Sequence, residues 1–216
     1  MAQAIPLSLE AVRGELNRLA PVFGIQIDGP TGDRILSYSW QLCRWNARLN
    51  LIRFKCETDL AQLHLLESLF LTRFLDEGVC QITDVGSGAG FPGLPLAIAL
   101  PGVKVQLVEK NLKKTIFLNE TVRTLALTNV TVIHGLYADV PRDTPGVVVL
   151  RALERLSKLS ADLFEHFSTA SQFLFLGGKK LANRLETGSG EWSVSCAGIP
   201  LSRGRFVIQA RRRSST

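Results

Sequence analysis

The segment Asp84-Val-Gly-Ser-Gly-Ala-Gly90 constrains this chain more than any other. It follows a short apolar run, Val79–Val85, and precedes a helical pattern over Pro92–Leu100. That places it at the carboxyl end of a first strand, where open α/β sheets bind their ligands. Glycines at 86, 88 and 90 permit positive φ and let a ligand approach the backbone closely. A glycine-rich loop alone is a weak signal, so its surroundings must decide what it holds.

Those surroundings alternate between two periods. Lys104–Glu109, Val130–His134, Val147–Arg151 and Gln172–Leu176 read as strands. Between and after them, Leu112–Leu125, Glu154–Phe167 and Lys179–Glu186 read as helices. Alternating strand and helix with short connections predicts a parallel sheet covered on both faces. The last two β runs, Trp192–Cys196 and Arg205–Ala210, have no helix between them and are expected to pair antiparallel. The first 75 residues read as helical. Leu9, Val12, Leu16 and Leu19 share one spacing, Leu36, Trp40 and Cys43 another, and Leu60, Leu63, His64, Leu66, Glu67 and Phe70 a third. Asp28-Gly-Pro-Thr-Gly32 reads as a turn cluster between helices. The expected organisation is a helical extension over 1–78, packed on a core over 79–210, with a frayed basic tail over 211–216.

Two ligand classes compete for the loop. A dinucleotide site needs GxGxxG, with a third glycine packing the helix against the strand. Here that position is Phe91, and the loop reads GxGxG after an acidic residue. S-adenosylmethionine carries no phosphate and needs no pyrophosphate cradle. It needs room for its methionine part, near which Asp84 can act electrostatically. The next strand ends at Glu109, about 20 residues on, where a carboxylate can accept from both ribose hydroxyls. Glu109 can equally be a solvated carboxylate at a strand end. Together the loop and Glu109 favour a nucleoside cofactor, and S-adenosylmethionine over NAD.

Charge suggests a polyanionic partner. The chain carries 25 Lys and Arg against 19 Asp and Glu, a net of +6. Residues 1–80 hold 8 against 9, and residues 81–216 hold 17 against 10, so the whole excess lies in the second part. A basic surface attracts nucleic acid and releases counterions from phosphates. Simple solubility explains such a surplus equally well. The four cysteines, Cys43, Cys56, Cys80 and Cys196, form no CxxC pair and are expected to be buried free thiols. The three histidines are scattered, so no metal site is expected. No apolar run approaches the roughly 20 residues that span a bilayer. The N-terminus lacks a secretory pattern, and cytoplasm is the expected location.

The loop's continuation is more specific than its glycines. Asp84-Val-Gly-Ser-Gly-Ala-Gly-Phe-Pro-Gly-Leu-Pro-Leu-Ala-Ile98 resembles the signature of the bacterial small-subunit ribosomal RNA (guanine-N7) methyltransferase G family, also called glucose-inhibited division protein B. Trp45-Asn-Ala-Arg-Leu-Asn-Leu51, His64-Leu-Leu-Glu-Ser-Leu69, Leu112-Lys-Lys-Thr-Ile-Phe-Leu118 and Leu150-Arg-Ala-Leu153 resemble further family motifs. The resemblance implies a class I S-adenosylmethionine-dependent methyltransferase fold: an α/β, Rossmann-like, seven-stranded sheet with an N-terminal helical extension. It implies methyl transfer to N7 of guanine 527 in 16S ribosomal RNA, free or in the 30S subunit. Carried over by matched position, Gly86 and Phe91 line the cofactor site, beside Asp84, Gly88 and Glu109 from the reading of the loop and the next strand. Tyr137 and Ala138 fall at the adenine end, and Arg151 at a cofactor-binding arginine. Three departures stand out: Leu136-Tyr-Ala-Asp139 follows Gly135, Leu150 precedes Arg151, and Leu176-Gly-Gly178 replaces a Leu-Lys-Gly.

Guanine N7 carries no proton, so methyl transfer needs orientation rather than a general base. Arg151 is the candidate catalytic residue, organising cofactor and base; its competing role is an ion pair at a strand end. Lys110, Lys113 and Lys114 are candidates for RNA phosphate contact, with Arg211–Arg213 a lesser one. His64 is expected to be a structural hydrogen-bonder, and Trp40 and Trp45 packing residues. A monomer is expected. Alternatives at this stage are a methyltransferase for another RNA site or a small molecule, a non-catalytic nucleotide-binding module, and an NAD-dependent oxidoreductase.

Overall fold

The computed structural model describes residues 7–142, 146–151, 159–188 and 191–213. Its centre is a seven-stranded sheet: β1 (Gln81–Val85), β2 (Lys104–Glu109), β3 (Val130–His134), β4 (Val147–Arg151), β5 (Gln172–Gly178), β6 (Trp192–Gly198) and β7 (Arg205–Arg212). The spatial order is β3-β2-β1-β4-β5-β7-β6. The first five strands run parallel, while β7 runs antiparallel to both β5 and β6. The order reverses between β1 and β4, and a ligand crevice is expected at that switch point.

Alternation along the strands divides the interior into two. Val147, Val149, Leu174 and Leu176 face one hydrophobic cluster, and Val148, Leu150, Phe173 and Phe175 face the other. The first cluster takes in α5 (Gly93–Ala99) and α6 (Leu112–Thr124), and the second α7 (Leu159–His166) and α8 (Lys179–Gly188). The N-terminal helices contribute Val12, Leu16, Ile35, Leu42, Leu65 and Leu71 to the first cluster, so extension and sheet share one core.

Those helices are α1 (Leu9–Leu19), α2 (Gly29–Leu49) and an irregular stretch. The stretch runs through α3 (Glu57–Asp59), a π-helical turn (Leu60–Leu66), α4 (Glu67–Leu69) and a 3-10 turn (Phe70–Phe74). Asp28-Gly-Pro-Thr-Gly32 is therefore the start of α2, not a connecting turn. Asp28 is its N-cap, accepting from the Thr31 amide at 2.7 Å, and Pro30 sits in the first turn, where a missing amide costs little.

Three further expectations change. Trp40 is 47% exposed with the Arg44 guanidinium 4.5 Å from its ring centroid, so it is not a packing residue. It lies on the opposite side of α2 from Tyr38, which is buried. Trp45 does pack, edge-on to Phe117 at 5.9 Å. Cys56, Cys80 and Cys196 are exposed and Cys43 half-buried, all as free thiols, because three of them lie at element starts or on the outer strand β6. The basic tail is ordered farther than expected: β7 continues to Arg212, Arg211 pairs with Asp76, and Arg212 lies 3.6 Å from Glu191. Residues 214–216, and the first part of the helix expected from Glu154, lie outside the described residues.

Among the described residues no helix is long and apolar enough to cross a membrane, and no three side chains group as metal ligands.

Candidate active site

The carboxyl ends of β1, β2, β3 and β4 bring the sequence-predicted residues to one sheet edge. Gly86, Gly88 and Gly90 have φ of 75°, 60° and 92°, and so carry the chain through a turn that L side chains resist. The Gly86 and Ser87 amides donate to the Val108 carbonyl at 2.8 and 3.0 Å, tying the loop to β2. The Gly88 amide donates to Glu109 Oε2 at 2.9 Å, and the Asn111 amide to Glu109 Oε1 at 2.8 Å. Glu109 is therefore not a freely solvated strand-end carboxylate. Each oxygen accepts one amide and keeps a further lone pair for a donor such as a ribose hydroxyl.

The loop is open where a ligand must lie. A Cβ added at Gly86 would meet nothing within 4 Å, and one at Gly88 only the Gly86 carbonyl, at 3.7 Å. Gly93, where α5 begins, is the opposite case. A Cβ there would stand 2.3 Å from Leu107 Cδ2 and 2.7 Å from Asp84 Oδ2. The helix packs against the strands without a side chain, two residues later than the dinucleotide pattern would place its glycine.

Asp84 sits behind the loop rather than on its surface. It is fully buried and its Oδ2 accepts from the Gly93 amide at 3.0 Å. That contact supports a role in fixing the loop and the start of α5, in place of direct contact with the cofactor. Burial pushes its carboxyl up to about 7, against 3.8 unperturbed. Between those values the folded chain binds a proton that the unfolded chain releases, so this contribution to stability is lost as pH rises from about 4 to about 7. Asp84→Asn keeps an acceptor and cannot ionise. Its stability relative to the parent, from denaturant unfolding, is expected to rise across that window by up to about 4 kcal/mol, at ~1.36 kcal/mol per pKa unit. A difference constant from pH 4 to 8 would contradict the assignment.

Phe91 is 5% exposed and joins the loop to the extension. Its ring lies 5.4 Å from Tyr38 and 5.3 Å from His64, with the Arg151 guanidinium 5.6 Å from its centroid. The structure thus makes it a packing hub under the loop. Tyr38, absent from the sequence-predicted set, donates its hydroxyl to the Ala89 carbonyl at 2.6 Å and is wholly buried. No local pattern marks it; only the packing of α2 against the loop reveals it. His64 behaves as a structural residue. Its Nε2 donates to the Arg53 carbonyl at 3.1 Å, and burial, with Arg151 nearby, lowers its pKa to about 4, so the ring is neutral at pH 7.

Arg151, at the end of β4, has a side chain only 15% exposed. Its Nη2 donates to the Leu63 carbonyl at 2.7 Å and stands 3.9 Å from Glu67 Oε2. Burial lowers its pKa to about 10. Tyr137 is half-buried in the 3-10 turn Tyr137–Asp139, edge-on to His166 at 5.4 Å, and Ala138 is exposed. In that turn Asp139 accepts from the Leu136 amide at 2.7 Å, so the departing sequence after Gly135 still closes a tight turn. Lys110 and Lys113 are exposed and Lys114 half-exposed, around the N-terminus of α6. Gly177 and Gly178 end β5, and α8 starts at Lys179.

The fold and this site define a class I S-adenosylmethionine-dependent methyltransferase: a Rossmann-like sheet with an acid-tethered glycine loop open to a nucleoside. An S-adenosylmethionine-dependent methyltransferase from Aquifex aeolicus superposes with a TM-score of 0.56 at 18% identity, over 72% of this chain and 93% of that one. The profile of the family described as rRNA small subunit methyltransferase G matches residues 32–202. A ribosomal RNA small subunit methyltransferase G from Paramagnetospirillum magneticum is 35% identical over 183 residues, 84% of this chain and 88% of that protein. One of the same name from Neisseria meningitidis is 40% identical over 134 residues, 62% of this chain and 64% of that protein. The chain belongs to the rRNA small subunit methyltransferase G family.

Proposed function

We propose that this chain transfers the methyl group of S-adenosylmethionine to N7 of a guanine in 16S ribosomal RNA, guanine 527 by the family resemblance. The observation that carries the cofactor half is the Gly88–Glu109 hydrogen bond of 2.9 Å beneath an open glycine loop. The RNA half is supported by the family's name and by the basic residues around the N-terminus of α6.

The residues present fit that cofactor. Gly86 and Gly88 offer backbone with no side chain in the way, and Glu109 offers two acceptors for ribose hydroxyls. The turn at Tyr137 and Ala138 borders the same edge, where an adenine would lie. Bound there, S-adenosylmethionine supplies an electrophilic methyl group on a sulfonium. Glu109, Gly88 and the loop fix the direction from which that methyl is presented. Arg151, between Phe91 and the irregular helix, orients the base or the cofactor's charged end. No side chain needs to remove a proton, since N7 has none, and alignment supplies the rate. N7 faces the deep groove of A-form RNA, so the target must be an accessible or splayed base.

Lys113 and Lys114 are proposed to meet RNA phosphates. Replacing both by alanine is expected to weaken binding and to reduce the slope of log affinity against log salt by about 1.5, at ~0.7–0.9 per phosphate contact. An unchanged slope would remove them from the interface. The function itself is tested in cells that lack their own enzyme of this family. Expression of this chain is expected to restore one N7-methylguanine in 16S ribosomal RNA; a 16S RNA left unmodified there would reject the assignment.

A further inference from the structure

The irregular helix of the extension departs from α geometry at one place, and a long-range contact occupies the gap. In an α-helix the Glu67 amide would bond the Leu63 carbonyl. Here, at the end of the π-helical turn, it bonds the carbonyls of Gln62 and His64 instead. The Leu63 carbonyl accepts from Arg151 Nη2 at 2.7 Å, across 88 residues of sequence. Single π turns inside helices are frequent at functional sites.

Glu67 adds a second hold. It is 1% exposed, with Oε2 2.8 Å from Arg205 Nη2 and 3.9 Å from Arg151 Nη2. Its Oε1 is buried and has no hydrogen-bond partner, so the charge is balanced by two guanidiniums rather than by backbone amides. The Phe91 face supplies a third hold on Arg151. A planar guanidinium met by a carbonyl, a carboxylate and a ring face has few orientations left.

We propose that Glu67 is a positioning residue for Arg151, acting with the Leu63 carbonyl freed by the π turn. The extension thereby sets the geometry of the methyl-transfer site. Removing the carboxylate leaves the half-buried Arg151 and Arg205 guanidiniums without the charge between them, and Arg151 is expected to shift off the Phe91 ring. This rests on the reading of Arg151 as a residue of the cofactor and base pocket.

The test is a double-mutant cycle on the full chain, with turnover, S-adenosylmethionine affinity by calorimetry and thermal melting recorded for each protein. Glu67→Gln preserves shape and is expected to lower turnover about tenfold, the usual scale for losing a charge-assisted contact. In an Arg151→Lys background, where the planar fork is gone, the same change is expected to cost no more than about twofold. Should Glu67→Gln not fold, Glu67→Asp retains the charge on a shorter arm and is read in the same cycle. Equal losses in both backgrounds would mean a structural role only and overturn the proposal. Arg151→Lys with full turnover and full cofactor affinity would overturn the pocket reading itself, and the proposal with it.

Discussion

Glu109→Gln will weaken cofactor binding by about 100-fold or more. The carboxylate already accepts the Gly88 and Asn111 amides at 2.9 and 2.8 Å, and its remaining lone pairs are the proposed ribose acceptors. An amide in its place turns one oxygen into a donor. That donor must face either a backbone amide or a ribose hydroxyl, and the charge behind both contacts is lost. Hydrogen bonds to a charged group contribute roughly 1.5–3 kcal/mol each, so two weakened contacts amount to about 3 kcal/mol or more. At ~1.4 kcal/mol per tenfold, affinity is expected to fall at least about 100-fold by calorimetry. Glu109 is at a strand end and outside the hydrophobic clusters, so melting should change far less than binding. An affinity within a factor of about three of the parent would remove Glu109 from the site.

Phe91→Ala will give the largest loss of stability among the loop residues. The ring fills the space between Tyr38, His64 and Arg151, and truncating a buried phenylalanine costs roughly 3–5 kcal/mol. Denaturant unfolding with an unchanged slope measures it. The cavity also frees the loop that Tyr38 holds through Ala89, so cofactor affinity is expected to fall along with stability. A loss below about 1 kcal/mol would show that the site collapses around the missing ring, and that Phe91 is not the hub its contacts indicate.

How much of this was legible in the sequence depends on how local each signal was. β2, β3 and β4 start and end where the short apolar runs do. The case is clearest for β4, which is buried on both faces and so reads as a continuous apolar run, whereas β3, at the sheet edge, is only half-buried. The antiparallel pairing of the last two strands follows from the missing helix between them. The insertion of β7 between β5 and β6 has no local mark, since pairing partners are fixed by tertiary packing. Asp28–Gly32 misled because capping residues and turn residues are chemically the same. Trp40 misled because its spacing matched buried neighbours while its side chain points away from the core.

At the site, Gly86, Gly88, Phe91, Glu109 and Arg151 were visible from loop pattern, spacing and family resemblance, and the fold brings them to one edge. What each does was less visible. Asp84 braces from behind, and Phe91 packs beneath, where a place facing the cofactor was expected. Tyr38, Leu63, Glu67 and Arg205 were not singled out for the site. They act on residues 51, 88, 84 and 138 positions away, a distance across which no spacing rule runs. The sequence placed the helical extension against the core, and the fold adds where it grips: the loop through Tyr38 and Arg151 through Leu63 and Glu67.

The most direct measurement is methyl transfer with the purified chain. S-adenosylmethionine labelled on its methyl group is incubated with 30S subunits and with naked 16S ribosomal RNA, and the modified position is mapped by strand cleavage specific to N7-methylguanine. One cleavage site in the 530 loop, at guanine 527, lost in Glu109→Gln, is the predicted result. Label carried by another atom or another RNA, or no incorporation into either substrate while the chain binds the cofactor, would contradict it.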